Sequence, residues 1–150
     1  ASGQIIRDAL TKAADKGTSI ALVVPKEASA QILTLRPDVD LAALGLTGAK
    51  ETLALDVTIL HGVILEGLLG IDRAAQEAQT NIEYIKDTRV AIERCQAGEG
   101  QAYFLMNATP VAQVVAVSNV GEVMPQKSTF FYPKIATGMV FNPISVDEEV

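Results

Sequence analysis

Four side chains between Lys127 and Lys134 could bind an anion. Lys127 and Lys134 carry ammonium groups, and Ser128 and Thr129 carry hydroxyl donors. Residues 100–142 contain these two bases and one acid, Glu122. The region therefore has a charge of +1, whereas the whole chain has a net charge of −6. This local reversal of sign predicts a site for a carboxylate or a phosphate group. The alternative is a solvated loop between a helix and an edge strand.

The same segment has the outer spacing of a nucleotide-binding P-loop but lacks its chemistry. Gly121, Lys127 and Ser128 match the motif, whereas Gln126 stands where a glycine must let backbone amides wrap the phosphate. Pro125 also removes one amide donor, and the residues that follow indicate a strand rather than a helix. We therefore exclude a P-loop.

The single histidine, His61, is the candidate for proton transfer. A helix over Leu55–Leu69 places it on an apolar face, with Val57, Leu60, Ile64 and Leu68. It is either a core histidine with one hydrogen bond or a general base or phosphate ligand at the edge of a pocket. Asp56 does not orient it from within the helix, because five residues correspond to about 140° of rotation.

Other reactive side chains have simpler interpretations. Cys95 lies near the end of a predicted helix, where the dipole raises the pKa of a thiol, so we expect a packed and unreactive cysteine. The acidic pairs Glu83 with Asp87 and Glu93 with Glu99 are expected to be solvated, since arginines lie close by in the sequence.

Composition limits the class of protein. The chain has 150 residues, 49% of them hydrophobic, which predicts one domain over residues 1–150 with a substantial core. One cysteine and one histidine exclude an internal disulfide and multi-histidine metal sites, so no metal is expected. The negative charge makes a nucleic-acid partner unfavourable. No apolar run is long enough to cross a membrane and no signal peptide is visible, which predicts a cytoplasmic location.

The helices and strands that position these residues are predicted from the periodicity of apolar side chains and from the glycines and prolines that end each element. We predict an α+β (or α/β) fold, with a mixed sheet of about five to six strands and helices packed over it. The predicted helices are an opening helix to Ala13 and helices over 55–69, 87–97 and 110–120. The predicted strands are 19–24, 30–35, 81–86, 101–106, 129–132 and 138–141. Residues 143–150 are expected to form a flexible tail.

The sequence MPQKSTFFYPK at Met124–Lys134 resembles a signature of the domain of unknown function 1015 family. Further similar stretches occur in the same order, so the resemblance extends over roughly residues 53–144. These stretches are Leu55–His61, Tyr84–Asp87 and Phe104–Thr109. The resemblance implies that Tyr132 and His61 line a shared pocket with the Lys127, Ser128, Thr129 and Lys134 group.

The resemblance also implies what this chain lacks. Members of that family carry an N-terminal Asp-Gly-His-His-Arg motif, similar to those of ParB/sulfiredoxin-type nucleotide-binding folds that include free serine kinases. No His-His pair occurs here, and the first methionine is Met106. We therefore expect a C-terminal fragment whose partner is a missing N-terminal domain, with a nucleotide as the cofactor of the full-length protein.

Two functions follow as expectations. The first is the substrate- or phosphate-binding portion of a cytoplasmic enzyme, such as a small-molecule phosphotransferase, that is catalytically incomplete in this chain alone. The alternative is a structural domain without a ligand, which packs on the missing domain or forms a homodimer through Phe130, Phe131, Tyr132 and Phe141.

Overall fold

The computed structural model describes residues 3–27 and 29–129. The helices are α1 (Gly3–Ala14), α2 (Lys50–Leu53), α3 (Asp56–Thr58), α4 (Arg73–Ala78), α5 (Thr88–Gln96) and α6 (Val111–Asn119). A π-helix, Ile59–Leu68, continues directly from α3. The strands are β1 (Ser19–Val23), β2 (Gln31–Thr34) and β3 (Tyr103–Met106).

The sheet is small and entirely antiparallel. Its order is β2-β1-β3, and Ala21 at its centre lies opposite Ile32 on one side and Leu105 on the other. The prediction of a mixed sheet with five to six strands is therefore wrong for the part of the chain that is described. The strands predicted at 19–24, 30–35 and 101–106 are found as β1, β2 and β3, and β1 and β2 pair as a hairpin.

The predicted strand over 81–86 is wrong, and this accounts for part of the difference. The segment is an irregular connection between α4 and α5. Its alternation of apolar and polar residues comes from a loop whose Tyr84 ring faces His61, rather than from the two faces of a strand. Gln79 ends α4 in a left-handed conformation and Asp87 caps α5, so few residues remain for a strand between them.

One face of the sheet packs against α1 and α5. Since strand side chains alternate between faces, Ala21 and Leu105 share this side. They form a buried cluster with Ile6 and Leu10 of α1 and Ile92 of α5. The spacing of Ile6 and Leu10 gives α1 a single buried stripe, and this confirms the opening helix.

The opposite face packs against the π-helix. Ile20 of β1 is buried with Leu60 and Leu65, and Phe104 and Met106 of β3 pack on the same cluster. The sheet thus lies between two helical layers, and the π-helix that carries His61 is part of the core.

A third cluster holds α6 and the following loop. Val117 of α6 is fully buried against Leu55 and Val57, and Met124 packs on them. This hydrophobic cluster positions the Lys127 loop relative to the start of the helical run that contains His61.

The helical run over 55–69 is found, but its register differs from the prediction. Backbone bonds such as Leu69 N–H to the Ile64 carbonyl, 3.0 Å, span five residues rather than four. Leu55 is the N-cap of α3, and α4 has no counterpart in the predicted elements.

No helix among residues 3–27 and 29–129 is long and apolar enough to cross a membrane. The strands predicted at 129–132 and 138–141, apart from Thr129, and the tail over 143–150 lie outside the described residues.

Candidate functional site

The Lys127 loop is a tight turn with a strained residue at its tip. The Ser128 amide donates to the Pro125 carbonyl at 3.3 Å, and the Ser128 hydroxyl donates to the same oxygen at 2.5 Å. Lys127 has a φ of 62°, a left-handed conformation that costs a non-glycine residue about 1–2 kcal/mol. The lysine side chain is exposed, so the turn presents an ammonium group to solvent.

Two polar contacts tie this loop to the rest of the fold. The Thr109 hydroxyl donates to the Ser128 carbonyl at 2.9 Å, which fixes the turn beside the start of α6. The Glu122 carboxylate accepts from the Ala49 amide at 2.6 Å and from the Thr52 hydroxyl. The hydrogen bonds from Thr52 and Ala49 lower the pKa of Glu122. The loop is therefore anchored on both sides of Lys127.

The N-terminus of α6 is uncapped. Pro110 is its N-cap and has no side-chain acceptor, and the hydroxyl of the preceding residue, Thr109, is bonded to the Ser128 carbonyl. Gln113 and Val114 donate to the Pro110 carbonyl, whereas the amides of Val111 and Ala112, the first two of the helix, have no acceptor within it. These amides and the helix dipole provide partial positive charge beside the Lys127 turn.

The predicted anion-binding residues are only partly brought together. Lys127, Ser128 and Thr129 share the turn, but the Ser128 hydroxyl is already a donor within it. Tyr132 and Lys134 lie outside the described residues.

His61 lies in the π-helix with its ring against Tyr84, the two ring centroids being 6.1 Å apart at 48°. Its Nε2 is sealed from solvent and has no hydrogen-bond partner within the described chain, and the same holds for the Thr58 hydroxyl. Burial lowers the pKa of His61, since an apolar environment disfavours the imidazolium. The neutral ring is therefore the form present near pH 7.

Close contacts at Gly62 and Gln76 join the π-helix to neighbouring segments near His61. A Cβ on Gly62 would lie 3.2 Å from the Leu46 side chain, so glycine allows the 41–48 loop to pack closely here. Gln76 is buried, and its amide donates to the Ile71 carbonyl at 2.7 Å and to the His61 carbonyl at 3.3 Å. The bond to the His61 carbonyl ties this buried glutamine to the backbone of the π-helix.

Among residues 3–27 and 29–129, the hydrogen bonds and ring contacts of His61 and those of the Lys127 loop involve different residues. The contacts of His61 are with Tyr84 and Gln76. The loop contacts Thr109, residues 49–52 and the Val57 cluster. Because Tyr132 and Lys134 lie outside the described residues, the shared pocket that the resemblance implies stays a prediction.

The remaining reactive residues behave as structural groups. Cys95 is buried and free, and burial raises the pKa of its thiol. Arg94 binds Glu83 through two bonds of 2.6 and 2.8 Å and Glu99 through one of 2.7 Å, and the acids remain exposed. No group of three or more potential metal ligands occurs within the described residues.

Sequence reasoning missed the anchors of the loop. Thr109 has the sequence signal of a helix cap, yet its hydroxyl holds Ser128, and Glu122 reaches residues about seventy positions earlier. No local pattern marks contacts between such distant positions.

Comparison of the chain with protein-family models, curated proteins and solved structures finds no match. The resemblance to the domain of unknown function 1015 family stays a prediction.

Proposed function

We propose that this chain is the substrate- or phosphate-binding part of an enzyme that acts on small molecules, with phosphoryl transfer as the reaction class. The Lys127 ammonium, the Thr129 hydroxyl and the first amides of α6 bind the anionic group. Tyr132 and Lys134 complete the site, and His61 handles a proton. The nucleotide belongs to an N-terminal domain of the longer protein.

One observation carries this proposal. The hydrogen bond from Thr109 to the Ser128 carbonyl holds the Lys127 turn beside an uncapped helix N-terminus. An ammonium group and free helix amides at one place form a favourable environment for phosphate or carboxylate. Left-handed non-glycine residues also concentrate at ligand-binding sites, and Lys127 is one of these.

The test compares two lysines in the same backbone conformation. Lys26, in the β1–β2 turn, has a φ of 71°, so Lys127→Gly and Lys26→Gly each remove one charge and relieve the same kind of strain. Neither variant is expected to lose its fold, because glycine adopts positive φ readily. Thermal unfolding is followed with pyrophosphate, phosphoserine, serine, ATP, ADP and sulfate at constant ionic strength.

We expect at least one phosphorylated compound to stabilise the wild type and Lys26→Gly but not Lys127→Gly. At about 100 times its Kd, a ligand adds roughly 2.7 kcal/mol to the free energy of unfolding. Equal stabilisation of both variants would place the anion elsewhere and contradict the proposal.

A second candidate function is that of a packing domain without a ligand. Exposed valines on and beside α6 favour it, since Val111, Val115 and Val123 are 68%, 51% and 84% exposed. In this alternative α6 contacts a second copy of the chain. Sedimentation velocity of the wild type and of Val115→Glu tests it: concentration-dependent dimers that the variant lacks support it, and monomers at high concentration contradict it.

A further inference from the structure

A groove lies between α1 and α5, on the side of the sheet opposite the π-helix. It has a volume of about 360 Å³. Gly3, Gln4 and Arg7 of α1 form one wall. The facing wall belongs to α5. The volume lies within the range of small-ligand sites.

The charge of the groove is opposite to that of the whole chain. Arg7 and Arg89 line it together with one acid, Glu93, so two bases and one acid give +1, against −6 for the chain. Arg89 is 4.0 Å from Asp87. Arg7 donates to the neutral Gln4 amide oxygen at 2.7 Å and has no ion pair within the described residues. Its charge is therefore available to a ligand.

The floor of the groove is apolar. Ile92, 8% exposed, belongs to the core cluster and also lines the groove. Gly3 leaves open space beside Ile92. A Cβ built on Gly3 would lie 3.6 Å from the Ile92 side chain and 3.7 Å from the Thr88 methyl group, which are ordinary van der Waals distances. An arginine pair above an aliphatic floor matches a molecule with an oxyanion at one end and an apolar body at the other.

We propose that the α1–α5 groove binds small organic oxyanions with an apolar body, such as carboxylates or phosphate monoesters. Arg7 and Arg89 contact the oxyanion, and Ile92 contacts the apolar body. This site is distinct from the Lys127 loop, and it does not depend on the function proposed above.

Phenyl phosphate, benzoate and inorganic phosphate are the probes, each titrated into the full chain at constant ionic strength and followed by amide NMR. We expect saturable shifts at Gly3, Arg7, Arg89 and Ile92, with a Kd of about 1 mM or tighter for phenyl phosphate or benzoate. Inorganic phosphate should bind more weakly because it lacks the apolar body.

Three variants locate the binding. Arg7→Gln and Arg89→Gln should each weaken it by about tenfold, the effect of losing one charge-assisted hydrogen bond. Arg36→Gln is the matched control, because Arg36 is also exposed and pairs with a nearby aspartate, Asp38, at 3.6 Å. Lys127→Gly should leave these shifts unchanged, which separates this site from the proposed phosphate loop.

Three results would overturn the inference. The first is that neither organic probe gives saturable shifts. The second is that both Arg7→Gln and Arg89→Gln bind the probes as tightly as the wild type. The third is that inorganic phosphate binds as tightly as phenyl phosphate. The amide spectrum of each variant also reports whether it is folded.

Discussion

At the scale of single residues, His61 and Lys127 are held in states that cost free energy. Lys127 adopts a left-handed backbone conformation, and the His61 Nε2 is buried without a hydrogen-bond partner. Neighbouring residues hold both groups in place. Thr109 and Glu122 anchor the turn that contains Lys127, and the Tyr84 ring packs against the His61 imidazole. Strained backbone conformations cluster at functional sites, and an unpaired buried polar group in a native structure calls for an explanation.

We expect His61 to make the protein less stable in weak acid. Burial lowers the pKa of the folded-state histidine below its ordinary value of 6.5, so the unfolded chain takes up the proton first. The free energy of unfolding should therefore be at its full value above pH 6.5 and should fall as the pH decreases toward the depressed folded-state pKa. Urea titrations across this range measure it.

His61→Phe is the control for that pH dependence. Phenylalanine keeps a ring against Tyr84 and cannot be protonated, so the variant should lack this part of the pH dependence. Carboxylates contribute the same slope to both proteins, and the difference between the two curves isolates His61. Parallel curves would contradict the lowered pKa of His61 in the folded state.

At the scale of elements, the π-helix is the main departure from what the sequence pattern predicts. Apolar spacing over 55–69 correctly indicates a helical run in the core, as Leu60 and Leu65 show. The wide register depends on other parts of the chain, since Leu46 packs directly on Gly62 and Gln76 binds the His61 carbonyl. The contacts that define this helix come from segments the local pattern does not include.

Gly62→Ala should destabilise the protein although alanine favours helices. Helix propensity alone gives alanine an advantage of about 1 kcal/mol over glycine. The new methyl group would lie 3.2 Å from the Leu46 side chain, which must move. We expect a net loss of about 1 kcal/mol in the free energy of unfolding, measured by urea denaturation.

A double-mutant cycle with Leu46→Ala tests the cause of that loss. In the Leu46→Ala background the methyl group has space, so Gly62→Ala should become neutral or stabilising, with a coupling energy of about 1 kcal/mol. Additive effects of the two substitutions would contradict the close packing of the 41–48 loop on the π-helix.

At the scale of the whole molecule, β1 is the centre of the fold. It pairs with β2 on one side and β3 on the other, and its two faces join two different core clusters through Ala21 and Ile20. A short sheet can be stable in this arrangement because both of its faces are covered by helices.

The two faces of α1 should differ sharply in their contribution to stability. Leu10 is 2% exposed in the core cluster, whereas Ile5 on the same helix is 61% exposed. Leu10→Ala should lower the free energy of unfolding by about 2–5 kcal/mol through lost burial and an unfilled cavity. Ile5→Ala should change it by less than about 0.5 kcal/mol. Guanidinium unfolding curves of the two variants test the difference, and similar losses in both would place Ile5 in an interface.

Local signals in the sequence determined the elements that depend on neighbours along the chain. These are the amphipathic stripe of α1, the hairpin with its short turn, the Asp87 cap of α5 and the apolar strand β3. The grouping of Lys127, Ser128 and Thr129 in one turn is likewise local, since Pro125 and Ser128 close it by a bond across three residues.

Only the tertiary structure decided the size and direction of the sheet, the π register around His61, and the anchoring of the Lys127 loop by Thr109 and Glu122. The tertiary structure alone also places Arg7 in the α1–α5 groove. All of these features rest on contacts between residues far apart in the chain. The free energy that stabilises these features comes from packing and desolvation between distant segments. The periodicity of apolar residues and local propensity do not predict it.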